Sequence, residues 1–430
     1  MRAAPVQILG AGLTGMSAGY HLGQDYEIHE KAKKPGGLAV TLQEDGYRFD
    51  LTGHLLHLRD AEMRKWIEQL LGSGTAEITR RSRVFSHGVY TRYPYQANTY
   101  GLPPQVAFEC LYGFLQALQD QARMPEPENF ERFCLNYFGE GFSRHFMIPY
   151  NQKLWGVHPR EITSEWCSRF VPRPTLEDVI AGAVGLHDRE LGYNTEFLYP
   201  RLGIGELADA LAARIESRIR LGSSPQAVDF RSRQLVFGQQ RVPYQVLISS
   251  APLDVLARLL VDPPPEVQAA AARLRCSRLY YLDVALDTPC GTDFHWTYVP
   301  EQKYPFYRVG CYSNFSQKMA PPGKAGLYVE LSSREPPQLD RLLPQVAQGL
   351  IDMKIIRRAE EIRFARKRSI EHAYVVFDRF YYSALEKVQA FLQEQNIISC
   401  GRYGGWDYCT MEDALQAGRR AAHRARGLLK

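Results

Sequence analysis

The 430-residue sequence has no C-x-x-C pair, no zinc-ligand spacing, no internal repeat and no low-complexity tract. Nor does any apolar run approach the roughly 20 residues that a membrane span needs. Each absence closes off a class. Eight scattered cysteines (110, 134, 167, 276, 290, 311, 400, 409) make neither a disulfide scaffold nor a metal knuckle, and read as thiols in a reducing, cytoplasmic compartment. The net charge is only +5, with 52 basic and 47 acidic side chains interspersed. That argues against a nucleic-acid surface and leaves room for a small anionic ligand. The first strand begins in PVQILGAG, which leaves no room for a signal peptide. The basic end GRRAAHRARGLLK reads as a solvated final helix rather than a membrane contact. The length suits two or three domains and a large core.

The apolar run VQIL leads into Gly10-x-Gly12-x-x-Gly15, then a helix-period segment, then the strand YEIHE ending at Glu30, twenty residues after Gly10. This is the dinucleotide-binding fingerprint in its required context. Gly10 permits the tight turn, Gly12 lets the backbone approach a pyrophosphate, and Gly15 lets helix and strand pack closely. The pyrophosphate would lie at the helix N-terminus, where free N–H groups and the dipole favour an anion. Glu30 would accept hydrogen bonds from the ribose.

A second stretch, FHWTYVPEQKYPFYR, reads as two short strands around a tight loop. A five-residue loop sets Val299 opposite Pro305 and Trp296 opposite Arg308. Trp296, Tyr298, Phe306 and Arg308 then project from one face, because strand side chains alternate. No carboxylate is expected on that face to neutralise the arginine, so it is expected to await an anion. Glu301 and Asp293, in or beside turns, are the candidates for a merely structural ion pair.

After Glu30, a glycine pair (Gly36-Gly37), a hairpin and GYRFDLTGH resemble the FAD enzymes that include amine oxidases and porphyrinogen oxidases. VPYQVLISSAPLDVL and the closing IISCGRYGGWDYCTMEDALQAGRRAA resemble the same family. The resemblance implies an α/β fold: a discontinuous Rossmann-like FAD-binding domain (1–88, 196–275, 385–430) with a mixed helical and antiparallel-sheet substrate domain (89–195 and 276–384). The implied FAD contacts are Gly10, Gly12, Thr14, Gly15, Glu30, Gly37, Leu38, Gly53, His54, Gly401, Arg402, Met411 and Glu412.

Within that group, RYPYQANTYGLP, FMIPYNQKLWGV, WTYVPEQKYPFYR, AYVVFDRFYY and GRYGGWDY, in this order, resemble UDP-galactopyranose mutases of the eukaryotic type. Such enzymes use reduced FAD, with flavin N5 as covalent nucleophile, to interconvert pyranose and furanose forms of a nucleotide sugar. The resemblance implies His54, Arg308 and Arg402 as catalytic residues, His54 answering to the flavin. It implies Tyr298, Tyr374 and Tyr408 as phosphate contacts with Arg308, Asn151 beside the sugar nucleotide, Tyr93 and Gln96 at the uracil, and Trp296 on the pocket wall. NAD(P)H or a reductase would supply electrons. The competing reading is an FAD-dependent amine oxidase or protoporphyrinogen oxidase, which shares the fold and the FAD motifs; a non-catalytic flavoprotein has no positive feature in its favour.

Plainer readings accompany these. Trp155, Trp166, Trp296, Tyr95, Tyr100, Tyr381 and Tyr382 suit packing, and His54 with His57 lacks a third metal ligand. Three positions depart from the mutase pattern. Ile148 replaces an arginine before Pro149-Tyr150-Asn151, Glu126 falls where an upstream arginine belongs, with Arg123 nearby, and Thr52-Gly53 replaces a glycine pair. These leave the diphosphate grip intact and open the choice of nucleotide and sugar.

Overall fold

The computed structural model describes residues 3–167, 171–186, 195–333 and 335–430. Its first layer is a parallel sheet of five strands in the order Ile397–Ser399, Val246–Ser249, Val6–Leu9, Tyr26–Glu30 and Ile219–Leu221. Val6, Ile8, Val246, Leu247 and Ile248 are all buried, as a parallel sheet covered on both faces requires. The helix Leu13–Leu22 leaves the first strand and supports the final helix, Met411–Leu428. A Cβ on Gly418 would strike the Thr14 carbonyl, so the two helices touch backbone to backbone there. The final helix is therefore not simply solvated: Ala421, Ala422 and Ala425 are buried, and its basic side chains line only the outer side, where Arg419 pairs with Glu62 at 3.0 Å.

The second layer is a seven-stranded sheet, ordered Ile362–Val375, Cys276–Leu286, Ala325–Leu331, Phe306–Cys311, Trp296–Tyr298, Ser82–Ser86 and Val89–Arg92. All its pairings are antiparallel except that between Trp296–Tyr298 and Ser82–Ser86. Alternation gives it two unlike faces. Leu282, Val284, Val309 and Val329 pack outward with Val346 and Leu350 of the helix Leu339–Asp352. The inner face carries Trp296, Tyr298, Arg308, Tyr328 and Glu330. Helices Pro104–Asp120, Phe130–Phe142 and Ile148–Trp155 build the rest of this half. Lys153 binds the last of them to the sheet, donating from Nζ to the carbonyls of Val299 (3.0 Å) and Glu301 (2.8 Å). Its burial brings its pKa down to about 7.

The hairpin of residues 296–311 differs from its sequence reading in two ways. Tyr298, not Trp296, lies opposite Arg308, and Trp296 lies opposite Gly310. The register moves by two residues, which preserves which side chains share a face. A bulge between Phe306 and Arg308 then breaks the alternation, and Phe306 turns to the outer core beside Val299 and Val309. Of the aromatics given a packing role, Trp155, Trp166, Trp296, Tyr95 and Tyr381 are buried, whereas Tyr100 and Tyr382 are exposed.

Between the layers sits Asp50, ending the strand Tyr47–Asp50. Its carboxyl accepts from Thr41 Oγ1 and Tyr199 OH, both at 2.6 Å, and from the Ile204 N–H at 3.1 Å. Complete burial nevertheless raises its pKa to about 7, against the pull of those donors. The native state thus holds a proton that the unfolded chain releases near its ordinary value. Stability from this group is full below that value and is lost as pH rises through 7. Asp50→Asn should therefore gain on the wild type between pH 5 and pH 8 by on the order of 2 kcal/mol, measured by denaturant unfolding at each pH. Parallel stability profiles would show that Asp50 is ionised throughout.

Candidate active site

The fingerprint folds as a cradle. Gly10 sits at φ +94, a left-handed conformation that glycine tolerates, and a Cβ on Gly15 would collide with the Gly10 carbonyl. Gly12 is different: its nearest neighbour would be Gly37 Cα at 3.8 Å, so the protein leaves space in front of it. Gly36 N–H bonds to the Ala11 carbonyl at 2.8 Å, which brings the glycine pair alongside the helix start. Gly12 caps that helix with no side chain, so no side chain competes with an anion for its first N–H groups. Glu30 is buried, and its two oxygens accept from the N–H groups of Ala11 (2.7 Å) and Ala32 (2.8 Å). Thr14 packs against Gly401. Glu412, 2% exposed, accepts from the N–H groups of Arg59 and Asp60 at 2.8 Å each, so its carboxylate locks the final helix to that loop. The open glycine groove and a helix end without a side-chain cap fit the pyrophosphate of a dinucleotide.

His54 lies in a tightly held turn. Thr52 stands at φ +72, rare for a β-branched residue, where a glycine would be unstrained. Tyr312 OH braces the turn by donating to the Asp50 carbonyl at 2.7 Å. Burial first, and then the charges of Arg402 and Arg308, hold the His54 pKa at about 4, so its imidazole is neutral at physiological pH. His57 accepts a different role, its Nδ1 3.2 Å from the Glu196 carbonyl.

Arg308 has the carboxylate that its hairpin lacks. Glu330, directly opposite on the next strand, takes Arg308 Nε at 2.8 Å and Nη2 at 2.6 Å in a two-pronged pair. Its side chain is fully buried and that of Arg308 is 19% exposed. Neither Glu301 nor Asp293 is the partner; Asp293 lies near Arg81 instead. Arg308 Nη2 also donates to Tyr374 OH at 3.3 Å, while Nη1 has no partner among the described residues.

The arginine without an acid is Arg402. It donates to the carbonyls of Cys409 (2.6 Å) and Ala373 (3.2 Å) and to Tyr403 OH (3.3 Å), and among the described residues no carboxylate pairs with it. Its guanidinium lies 4.7 Å from the centre of the Tyr408 ring and 5.9 Å from that of Tyr374. The rings of Tyr374 and Tyr408 lie 5.9 Å apart. The site thus holds two guanidinium charges, one carboxylate and a neutral histidine within a wall of tyrosines. Electrostatics leaves room for one more anion.

Tyr298 joins this wall and meets Tyr93 at 5.0 Å and Tyr150 at 5.3 Å. Two expected ligand contacts spend their amides on the protein. Asn151 Nδ2 donates to the Met147 carbonyl at 2.8 Å and its Oδ1 accepts from Trp155 Nε1 at 3.2 Å. Gln96 Nε2 donates to the Pro172 carbonyl at 2.8 Å. Glu126 and Arg123 are both exposed, and Ile148 is half-buried. Sequence reasoning missed Glu330, Tyr328 and Tyr150. An acid between Val329 and Leu331 in an otherwise apolar strand was the signal for the first.

The flavin containing amine oxidoreductase family profile matches residues 13–426. Among solved structures, reduced UDP-galactopyranose mutase superposes with a TM-score of 0.92 at 27% identity, over 99% of this chain and 96% of that one. A putrescine oxidase bound to putrescine superposes at 0.69 with 16% identity, over 99% of each chain. A CLA-producing fatty acid isomerase from P. acnes does so at 0.66 with 14% identity, over 98% of each, and these two likenesses concern the fold alone.

Two outcomes follow from this geometry. Gly12→Val has space within the protein, so it should fold with an unchanged apoprotein Tm yet purify without flavin absorbance, whereas Gly15→Ala should unfold several degrees earlier. Full flavin occupancy in the valine variant would refute the cradle. Arg308→Ala strands a buried carboxylate and should cost about 3–5 kcal/mol in denaturant unfolding. Adding Glu330→Gln should recover much of that loss; an additive double mutant would mean that the pair is not coupled.

Proposed function

We propose, on the premise that the chain belongs to the flavin containing amine oxidoreductases, that it is a reduced-FAD-dependent mutase interconverting pyranose and furanose forms of a nucleotide sugar. The observation that carries this reading is Arg402, a cation without an acid among the described residues, beside an Arg308 whose Nη1 is left over after pairing with Glu330. Oxidation of a cationic amine gives such charge no task. The likeness to a UDP-galactopyranose mutase over nearly the whole chain supports the same conclusion.

Glu30, Gly12 and Gly37 would hold the adenosine diphosphate part of FAD, with the flavin beside His54. When reduced, the flavin supplies a nucleophilic N5 for the anomeric carbon. The chain's own residues handle the diphosphate that must leave and return. Arg402 and Arg308 Nη1 hold it in both states, and charge held in place in a largely dry site stabilises it as it departs. Tyr298, Tyr374 and Tyr408 add neutral donors, which bind phosphate without strengthening the charge that the leaving group must escape. Neutral His54 would stand beside the flavin and adds no third cation. Tyr93 and Gln96 Oε1, which has no partner among the described residues, would receive the base. Asn151, engaged at both ends, shapes the wall through Trp155. Eight free thiols suit a reducing cytoplasm, with NAD(P)H or a reductase as electron source.

The test is redox dependence. Dithionite-reduced enzyme should isomerise members of a nucleotide-sugar panel, oxidised enzyme should not, and turnover should consume no oxygen. Stoichiometric peroxide formed from an amine or a porphyrinogen by the oxidised enzyme would replace the mutase with an oxidase.

A further inference from the structure

On the inner face of the seven-stranded sheet four positions form a square. Arg308 lies opposite Glu330, and two residues along each strand Gly310 lies opposite Tyr328. A Cβ on Gly310 would overlap the Tyr328 ring, and a Cβ on Gly53 would overlap its hydroxyl. The phenol therefore crosses the bare backbone of Gly310 and ends against Gly53, the residue before His54. Two glycines far apart in sequence leave one slot, and it is filled by a side chain only 1% exposed.

Packing accounts for the ring but not for the oxygen. Among the described residues the Tyr328 hydroxyl has no hydrogen-bond partner. It is also absent from the sealed, partnerless atoms, which include the neighbouring Tyr307 hydroxyl. Phenylalanine would fill the same slot, so packing gives the hydroxyl no task. Burial keeps the phenol protonated, and the charge of Arg308 reaches it. Tyr328 thus presents a neutral donor between the His54 turn and the arginines.

We propose that Tyr328 is a ligand-contacting residue whose hydroxyl hydrogen-bonds the sugar of the nucleotide sugar and takes part in selecting that sugar. This rests on the mutase reading above. With the diphosphate on Arg308 and Arg402, and the anomeric carbon drawn to the flavin beside His54, the group within reach of a hydroxyl at Gly53 is the sugar ring. The nucleotide lies beyond the arginines.

Tyr328→Phe in the FAD-loaded, reduced enzyme tests the assignment. Its flavin content and Tm should match wild type, and its affinity for UDP alone should stay within twofold. Its kcat/KM for the best sugar of a UDP-sugar panel should fall at least tenfold, and preference among epimeric sugars should narrow. Gly53→Ala, which forces the hydroxyl aside while leaving it present, should reproduce the narrowed preference. Wild-type activity with an unchanged Tyr328→Phe variant overturns this inference alone. Loss of UDP affinity in parallel with activity, or a fallen Tm, overturns it in favour of a phosphate or packing role. A wild type that isomerises no nucleotide sugar removes the mutase reading and this inference with it.

Discussion

The ion pair between Arg308 and Glu330 organises the site. Taking two charges out of water is costly, and only close geometry and further hydrogen bonds repay it. Here both prongs are short, and the carboxylate lies wholly within the sheet. The pair joins adjacent strands at directly opposed positions, so it is coupled to their register. A bulge one residue earlier ejects Phe306 into the outer core and leaves Arg308 facing inward. With Nε and Nη2 held by Glu330, the guanidinium is fixed in the orientation that leaves Nη1 for a ligand. Arg308 is thus held in one orientation by the fold, with Nη1 unpaired among the described residues.

The same constraint explains the unusual state of His54. A histidine beside two guanidiniums and away from water cannot readily accept a proton, so it stays neutral where an isolated histidine would begin to titrate. Glu330 cancels one of the two cations and Arg402 keeps its charge. A site with a second carboxylate would be balanced and indifferent to anions; one lacking Glu330 would carry an excess that the surrounding tyrosines could not offset. The charge pattern therefore suits one additional polyanion held close to a flavin. Around it, backbone contacts at Gly10, Gly15 and Gly418 keep the cradle rigid, while the aromatic wall belongs to the second sheet and the helix Ile148–Trp155.

Local backbone chemistry was legible in the sequence by itself. The fingerprint specifies its own turn, helix start and close packing within a few dozen residues, and alternation in residues 296–311 correctly told which of Trp296, Tyr298 and Arg308 share a face. Motif order along the chain carried the family. What the sequence left open depends on contacts between distant segments. Glu330 stands 22 residues beyond Arg308 on another strand, and nothing local says that the two will be opposed. The exact register, the bulge that turns Phe306 away, and the commitment of Asn151 and Gln96 to neighbouring carbonyls belong to the same class. So does the docking of the basic final helix on the first one. Glycines and caps act through the conformation of their own residues, which the sequence states directly. Pairing of charges and filling of slots depend on which strands become neighbours and at what register, and only the folded chain decides that.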